Sequence, residues 1–286
     1  MTALPPDARR PGLAFGLTLD CGYDVLGVAG GEPTGRAVRL DLVDEPMARA
    51  EARRVASAAE LTIDRDDEGY VFAAPGLGVH RVSSDGDAVL SAPPAGVEPE
   101  RWQRLLTGQA LPLAAVLCGL EPIHASAVVS RGEAVAFTAP SRGGKSAVCA
   151  AMIRHGAHFL TDDVLVLELD GAGGPLLAHP GPALATLDGT RAAVQRHELP
   201  APLGAIYMLE AGTTGAVVVE RLPRADPRSL LGATFNAVVT DRTRLERHLE
   251  VSVRMSACPL YRVALPAEEP LERKTADAVA STVMRI

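Results

Sequence analysis

Ala139-Pro140-Ser141-Arg142-Gly143-Gly144-Lys145-Ser146 fits the pattern (Ala/Gly)-x-x-x-x-Gly-Lys-(Ser/Thr), and its flanks decide how it is read. Before it, Glu133-Ala134-Val135-Ala136-Phe137-Thr138 is short and apolar enough for a buried strand. After it, Ala147-Val148-Cys149-Ala150-Ala151-Met152-Ile153 is helix-forming, and Gly156 supplies a C-terminal stop. Strand, glycine-containing turn and helix in that order make a phosphate-binding loop. Such a loop turns backbone N–H groups and a helix N-terminus toward phosphate oxygens. Lys145 is then expected to reach the terminal phosphates and the Ser146 hydroxyl to ligate Mg²⁺, with Ala139, Pro140, Ser141, Arg142, Gly143 and Gly144 completing a nucleoside triphosphate site.

Residue usage supports that reading. Of the 28 Lys and Arg residues only Lys145 and Lys274 are lysines. A chain that otherwise uses arginine has placed lysine where phosphoryl chemistry calls for a slim point charge rather than a planar fork. Two positions depart from the glycine-richest form of the loop, Ala139 at its start and Arg142 within it.

Composition sets the bounds. With 286 residues, 47% of them hydrophobic, the chain can bury a large core and is expected to form two domains. A net charge of −7, with arginines interspersed among acids, excludes a nucleic-acid-coating role. Cys21, Cys118, Cys149 and Cys258 lie far apart in apolar stretches without C-x-x-C spacing, which predicts buried free thiols in a reducing compartment. The longest apolar run, Ala110 to Leu120, is too short to span a bilayer, so the expectation is a cytoplasmic protein with no membrane partner.

Residues 13 to about 92 read as β-rich, with alternation at Leu17–Asp20, Val38–Leu42 and Gly69–Phe72 and a helix predicted over Pro46 to Leu61. Val79–Val82 and Ala88–Leu90 predict a hairpin closed by an Asp-Gly turn, with His80 on its surface. The break at Ala92-Pro93-Pro94-Ala95-Gly96 marks the expected boundary between a small β-rich domain, residues 1–95, and a larger one, residues 96–286. The larger domain opens on a helix from about Pro99 to Cys118 that carries Trp102 on a packing face. Further on, Ala205–Leu209 and Ala216–Val219 predict a hairpin, Asp226-Pro227 a helix cap, Val251–Met255 and Leu260–Leu265 strands, and Glu268–Ile286 a terminal helix.

Asp162-Asp163 begins 17 residues after Lys145, inside the apolar run Phe-Leu-Thr-Asp-Asp-Val-Leu-Val-Leu. Burying two acids there is costly unless a cation or a hydroxyl proton compensates them. In an α/β sheet they sit at the edge where the phosphate loop opens, and strand alternation sends them to different roles. His124 begins the strand before the loop strand, among small apolar neighbours.

The arrangement His-Ala-Ser-Ala-Val, then Ala-Pro-Ser-Arg-Gly-Gly-Lys-Ser, then His-Gly-Ala-His-Phe-Leu-Thr-Asp-Asp-Val resembles the C-terminal domain of bacterial HPr kinase/phosphorylase. It is closer still to HPr-kinase-related proteins encoded with peptide-modification genes, including kinases of lasso-peptide precursors. The match runs from about Ile123 to Leu167. The resemblance implies an α/β phosphate-loop fold of the phosphoenolpyruvate-carboxykinase-like kind, with a mixed sheet, preceded by a small β-rich N-terminal domain. It further implies that Asp162 is the general base, that Asp163 holds Mg²⁺ with Ser146, and that His124 lies near the Asp162 carboxylate and tunes it. A later segment associated with phosphorolysis is not found, so a dual kinase and phosphorylase is not expected.

The functional expectation is an ATP- and Mg²⁺-dependent kinase acting on a serine hydroxyl of a peptide or protein, for instance a ribosomal natural-product precursor. A small-molecule hydroxyl kinase and a non-catalytic ATP-binding regulatory subunit stay open as alternatives, as does homo-oligomerisation.

Overall fold

The structure, a computed structural model, describes residues 5, 8–28, 30–31, 33–43, 61–140, 142–171, 173–187, 190–212, 216–223, 235, 238–266 and 271–286. The helix expected over Pro46 to Leu61 and the cap at Asp226-Pro227 lie outside the described residues, apart from Leu61 itself. The chain divides into two compact units, Met1–Leu120 with Asn236–Thr240 and Glu121–Phe235 with Asp241–Ile286. The division therefore falls after Leu120, later than the expected break at residues 95 and 96.

The first unit contains β1 (Arg10–Ala14), β2 (Leu17–Cys21), β3 (Ala37–Leu42), β4 (Thr62–Asp66), β5 (Gly69–Ala74), β6 (Gly78–Ser83) and β7 (Ala88–Ala92). Among the described residues these form one sheet in the order β1-β2-β3-β7-β6-β5-β4, with β3 parallel to β2 and β7. The expected hairpin joins β6 to β7, and Gly86 at φ 75° makes its turn. Helices α1 (Pro99–Leu105) and α2 (Leu111–Leu117) pack on β6, and this packing places them in the first unit. A π-helical turn, Leu106–Ala110, separates them where a single helix was expected. Pro112, at the start of α2, lacks an N–H and would crowd the carbonyl of Gly108; a wider turn accommodates both.

Trp102 is buried, as expected, but His80 is not on the surface. It is fully buried, its ring stacks on Trp102 at 5.6 Å, and its Nδ1 lies 2.9 Å from Ser91 Oγ, which in turn bonds Tyr23 Oη at 2.8 Å. Burial pulls the imidazole down to about 4. Alternation along β6 puts His80 on the same face as Val82, the face that α1 covers, while Arg81 and Ser83 of the other face stay half-buried.

The second unit contains β8 (Glu121–Ile123), β9 (Ser126–Ser130), β10 (Glu133–Thr138), α3 (Lys145–Arg154), β11 (His158–Thr161), β12 (Leu165–Leu169), β13 (Leu176–His179), β14 (Leu184–Leu187), β15 (Thr190–Ala193), β16 (Ala201–Ala211), β17 (Val218–Leu222), α4 (Arg242–Ala257), β18 (Leu260–Leu265) and α5 (Arg273–Val283). The described strands build a mixed sheet in the order β11-β9-β10-β16-β13-β12-β8, with β18 on β16 and β17 on β18. Apolar side chains alternate across it. Val128, Phe137, Tyr207 and Val263 pack with Val148 and Met152 of α3 and Val279 of α5; Ala127, Val129, Ala134, Ala136 and Ile206 face the side that holds Val251 and Met255 of α4. The architecture is mixed α/β with parallel and antiparallel pairing.

Two expected elements are otherwise. The hairpin of Ala205–Leu209 with Ala216–Val219 does not form, because β18 lies between β16 and β17, parallel to the first and antiparallel to the second. β18 is the more buried strand and takes the inner place, leaving the half-exposed β17 outside it. Val251–Met255 is not a strand but the middle of α4, whose N-cap Asp241 accepts from Arg244 N–H at 3.0 Å. Its buried positions, Arg244, Val251, Ser252 and Met255, recur at helical spacing, and that longer period overrides a short β-branched run. The terminal helix runs Arg273–Val283.

Candidate functional site

β9 organises the site. It runs antiparallel to both β10 and β11, with Ser126 opposite Phe137 and Ala127 opposite Thr161. The end of β10, the end of β11 and the start of β9 therefore meet at one edge of the sheet. The glycine-containing loop, Asp162-Asp163 and His124 converge there although 39 positions separate the first of them along the chain, His124, from the last, Asp163.

The loop leaves β10 and enters α3 through Gly144, the N-cap, at φ 87°. A Cβ at Gly144 would lie 2.9 Å from Leu271 Cδ2, and one at Gly143 would lie 2.7 Å from Ala139 Cβ and 2.9 Å from the Pro140 carbonyl oxygen. Gly143 N–H donates to that same carbonyl at 2.9 Å, closing the turn. Arg142 occupies the left-handed region at φ 62°, a conformation that costs a non-glycine residue about 1 kcal/mol. This is the position the sequence marks as a departure from glycine. Ser141 lies outside the described residues.

Lys145 is 6% exposed, and its Nζ lies 2.9 Å from His124 Nε2 and 3.4 Å from the Ala139 carbonyl oxygen. Burial lowers both groups. The lysine falls from its ordinary value by desolvation, against the upward pull of Asp163 and then Asp162; the histidine falls by desolvation and then by the charge of Lys145. The imidazole is thus the neutral acceptor of the ammonium. The resemblance placed His124 near the Asp162 carboxylate; in the structure its ring bonds the Asp163 backbone and Lys145 and, among the described residues, forms no hydrogen bond to the Asp162 carboxylate.

The two acids do not lie on a regular strand. β11 ends at Thr161, and Asp162-Asp163 forms a turn in which Val164 N–H donates to the Asp162 carbonyl at 2.9 Å and Thr161 Oγ1 donates to the Val164 carbonyl at 2.6 Å. Asp163 sits at φ 66°, left-handed, a region aspartate tolerates better than most residues. The turn, rather than strand alternation, separates the side chains. Asp162 Oδ1 accepts from Ser126 Oγ at 2.7 Å, Ser146 Oγ at 2.9 Å and Asp163 N–H at 3.1 Å, and Asp162 Oδ2 accepts from Thr186 N–H at 3.2 Å. The Asp163 carboxylate is exposed and accepts no hydrogen bond among the described residues.

Asp163 instead lines a cavity of about 690 Å³ that runs from Arg142 through Ser146 along α3 to Leu271 and Arg273 at the start of α5. That volume is within the range of small-molecule sites. Lys145, Ser146 and Thr186 also line the cavity. Sequence reasoning missed Ser126, Thr186 and the α5 residues. Only Ser126 left a signal, as a polar residue ahead of the apolar run Ala127-Val128-Val129, two residues after His124. Among the described residues no cluster of three or more His, Cys, Asp or Glu could by itself hold a metal ion, and no helix is long and apolar enough to cross a membrane. The four cysteines are free, Cys21 and Cys149 buried and Cys118 and Cys258 half-buried.

No family model matches the chain, and no curated protein matches it in sequence. Among solved structures, the Hpr(Ser) kinase/phosphatase from Coxiella burnetii is similar at a TM-score of 0.32 and 13% identity, over 58% of this chain and 89% of that one.

Proposed function

We propose that the chain is a kinase that moves the γ-phosphoryl group of ATP to a serine hydroxyl of a peptide or protein, on a phosphate-loop fold of the phosphoenolpyruvate-carboxykinase-like kind. The observation that carries this reading is the convergence, on one cavity, of the loop at the N-terminus of α3, the Lys145 ammonium, the Ser146 hydroxyl and the Asp163 carboxylate, with Asp162 hydrogen-bonded to Ser146. A binder of nucleotide needs the loop and one metal-side oxygen; it has no use for a second acid aimed into the cavity.

Ser146 Oγ and Asp162 Oδ1, 2.9 Å apart, supply hard oxygen donors of the kind Mg²⁺ takes when it keeps several waters and binds phosphate oxygens. Bound there, the ion would neutralise charge on the phosphates. Lys145 would leave His124 for the terminal phosphates. Asp162, already engaged by three other donors besides Ser146, is the metal-side acid, and Asp163, free and exposed in the cavity, is the base. The Asp163 carboxylate would take the acceptor hydroxyl proton as the acceptor oxygen bonds to the γ-phosphorus; the bond from that phosphorus to the β–γ bridging oxygen breaks, and ADP leaves. An exposed base suits an acceptor too large to be enclosed.

The test is to incubate the protein with labelled ATP, Mg²⁺ and serine-containing peptides from its own genomic neighbourhood and to follow mass gain. Gain of one phosphoryl group on serine is the expected result. ATP binding without transfer to any peptide would sink the peptide-kinase reading.

A further inference from the structure

We propose that Ser126 is a positioning residue that gives the adjacent acids their separate duties. The inference rests on the kinase reading above. Ser126 is fully buried at the start of β9, and its hydroxyl works in both directions: Oγ donates to Asp162 Oδ1 at 2.7 Å and accepts from Asp163 N–H at 3.3 Å. One hydroxyl thereby holds the Asp162 carboxylate against the loop and the Asp163 backbone in its left-handed turn. Without that turn, Asp163 would continue β11, and its side chain would follow strand alternation instead of entering the cavity.

The arrangement explains why a fully buried serine stands at the start of β9, ahead of Ala127, Val128 and Val129. Ser126 pairs with Phe137, the last buried residue before the loop, so its height is set by the same ladder that sets the loop. Its partner on the other carboxylate oxygen, Thr186 N–H, comes from β14. Thr186 bonds Asp162 alone; among the described residues the serine is the one side chain outside the pair that hydrogen-bonds both of its members. Loss of its hydroxyl leaves Asp162 with Ser146, Asp163 N–H and Thr186 as partners, so metal-side geometry survives. It leaves the Asp163 amide with the Asp162 side chain as its one partner among the described residues, which loosens the turn that Val164 N–H closes on the Asp162 carbonyl and with it the aim of the base.

The experiment compares Ser126→Ala and Ser126→Thr with the wild type in three measurements on the same samples: ATP affinity with Mg²⁺ by calorimetry, single-turnover transfer to the acceptor peptide, and the ratio of transfer to peptide over transfer to water. For Ser126→Ala the expected result is ATP affinity within about threefold of wild type, transfer lowered about 10- to 100-fold, and a shift of the ratio toward water, because a displaced base harms the ordered acceptor more than bulk solvent. Ser126→Thr, which keeps the hydroxyl, should restore transfer to within a few-fold. If Ser126→Ala melts before assay, Ser126→Cys, close in size with a weak donor, is read in the same way. Transfer by Ser126→Ala within twofold of wild type, or equal losses of ATP affinity and transfer with an unchanged ratio, overturns the proposal and leaves the kinase reading standing. A wild type that transfers phosphate to no peptide overturns both.

Discussion

Ser146 Oγ donates to Asp162 Oδ1 at 2.9 Å, so the loop hydroxyl reaches the first acid of the pair and not the second. In the proposed kinase, the contact puts Asp162 on the metal side of the site and leaves Asp163 for the acceptor.

Asp162→Asn and Asp163→Asn should therefore fail in different ways. Asp162→Asn is expected to raise the Mg²⁺ requirement and weaken nucleotide binding by about 10- to 100-fold, since an amide cannot replace a charged oxygen beside a hard cation. Asp163→Asn should leave ATP affinity nearly unchanged and lower transfer by about 10² to 10⁴. Calorimetric ATP titration beside single-turnover transfer checks both; the reverse pattern would return the base to Asp162.

Lys145→Ala removes a cation that lines the cavity and should weaken ATP binding by about 10- to 100-fold, the worth of a hydrogen bond to a charged group, while abolishing transfer. Lys145→Arg should also fail in transfer, because its fork does not fit a slot bounded by His124 and the Ala139 carbonyl. Near-normal turnover in either variant would remove the phosphate-loop assignment.

Arg142 adopts a left-handed conformation that glycine takes without strain. Arg142→Gly removes both charge and strain, whereas Arg142→Ala removes the charge alone. The glycine variant should be more stable than the alanine variant by about 1 kcal/mol, and ATP affinity should drop equally in the two. Urea unfolding and ATP titration read these separately; a more stable alanine variant would mean the strain is not real.

His80 makes the first unit acid-sensitive. Its imidazole falls from an ordinary 6.5 to about 4 on folding, so the unfolded chain binds the proton first as pH drops. The neutral form's contribution is fully present above pH 6.5 and is lost as pH falls toward about 4, amounting to about 3 kcal/mol. His80→Phe keeps the stacking on Trp102 and removes the titration. The difference between wild-type and variant unfolding free energies across pH 7 to 4 should slope accordingly, and parallel curves would refute the assignment.

Contiguous features were legible in the sequence, and features made by pairing were not. The loop, its strand and its helix form one segment, and the acids sit side by side, so each was visible locally. That Ser146 meets Asp162, and that Lys145 meets His124, depends on β9 lying between β10 and β11, which no local pattern states. Val251–Met255 misled because five residues show a β-branched run while sixteen show a helix. His80 misled because alternation reports faces, not what covers them.

β9 is paired along both edges and buried from Ser126 through Val129. Its amides can exchange with solvent only when β10 or β11 parts from it, and that event also takes the loop or the acids away. In the proposed kinase the site therefore has no opening unit of its own: a molecule that breathes at this edge would lose nucleotide grip and proton acceptor together. If the chain is the proposed kinase, heat inactivation should track the melting of the whole sheet, with no inactive but folded species preceding it, and protection of the Ala127 and Val128 amides would serve as a direct gauge of how much competent protein a sample holds.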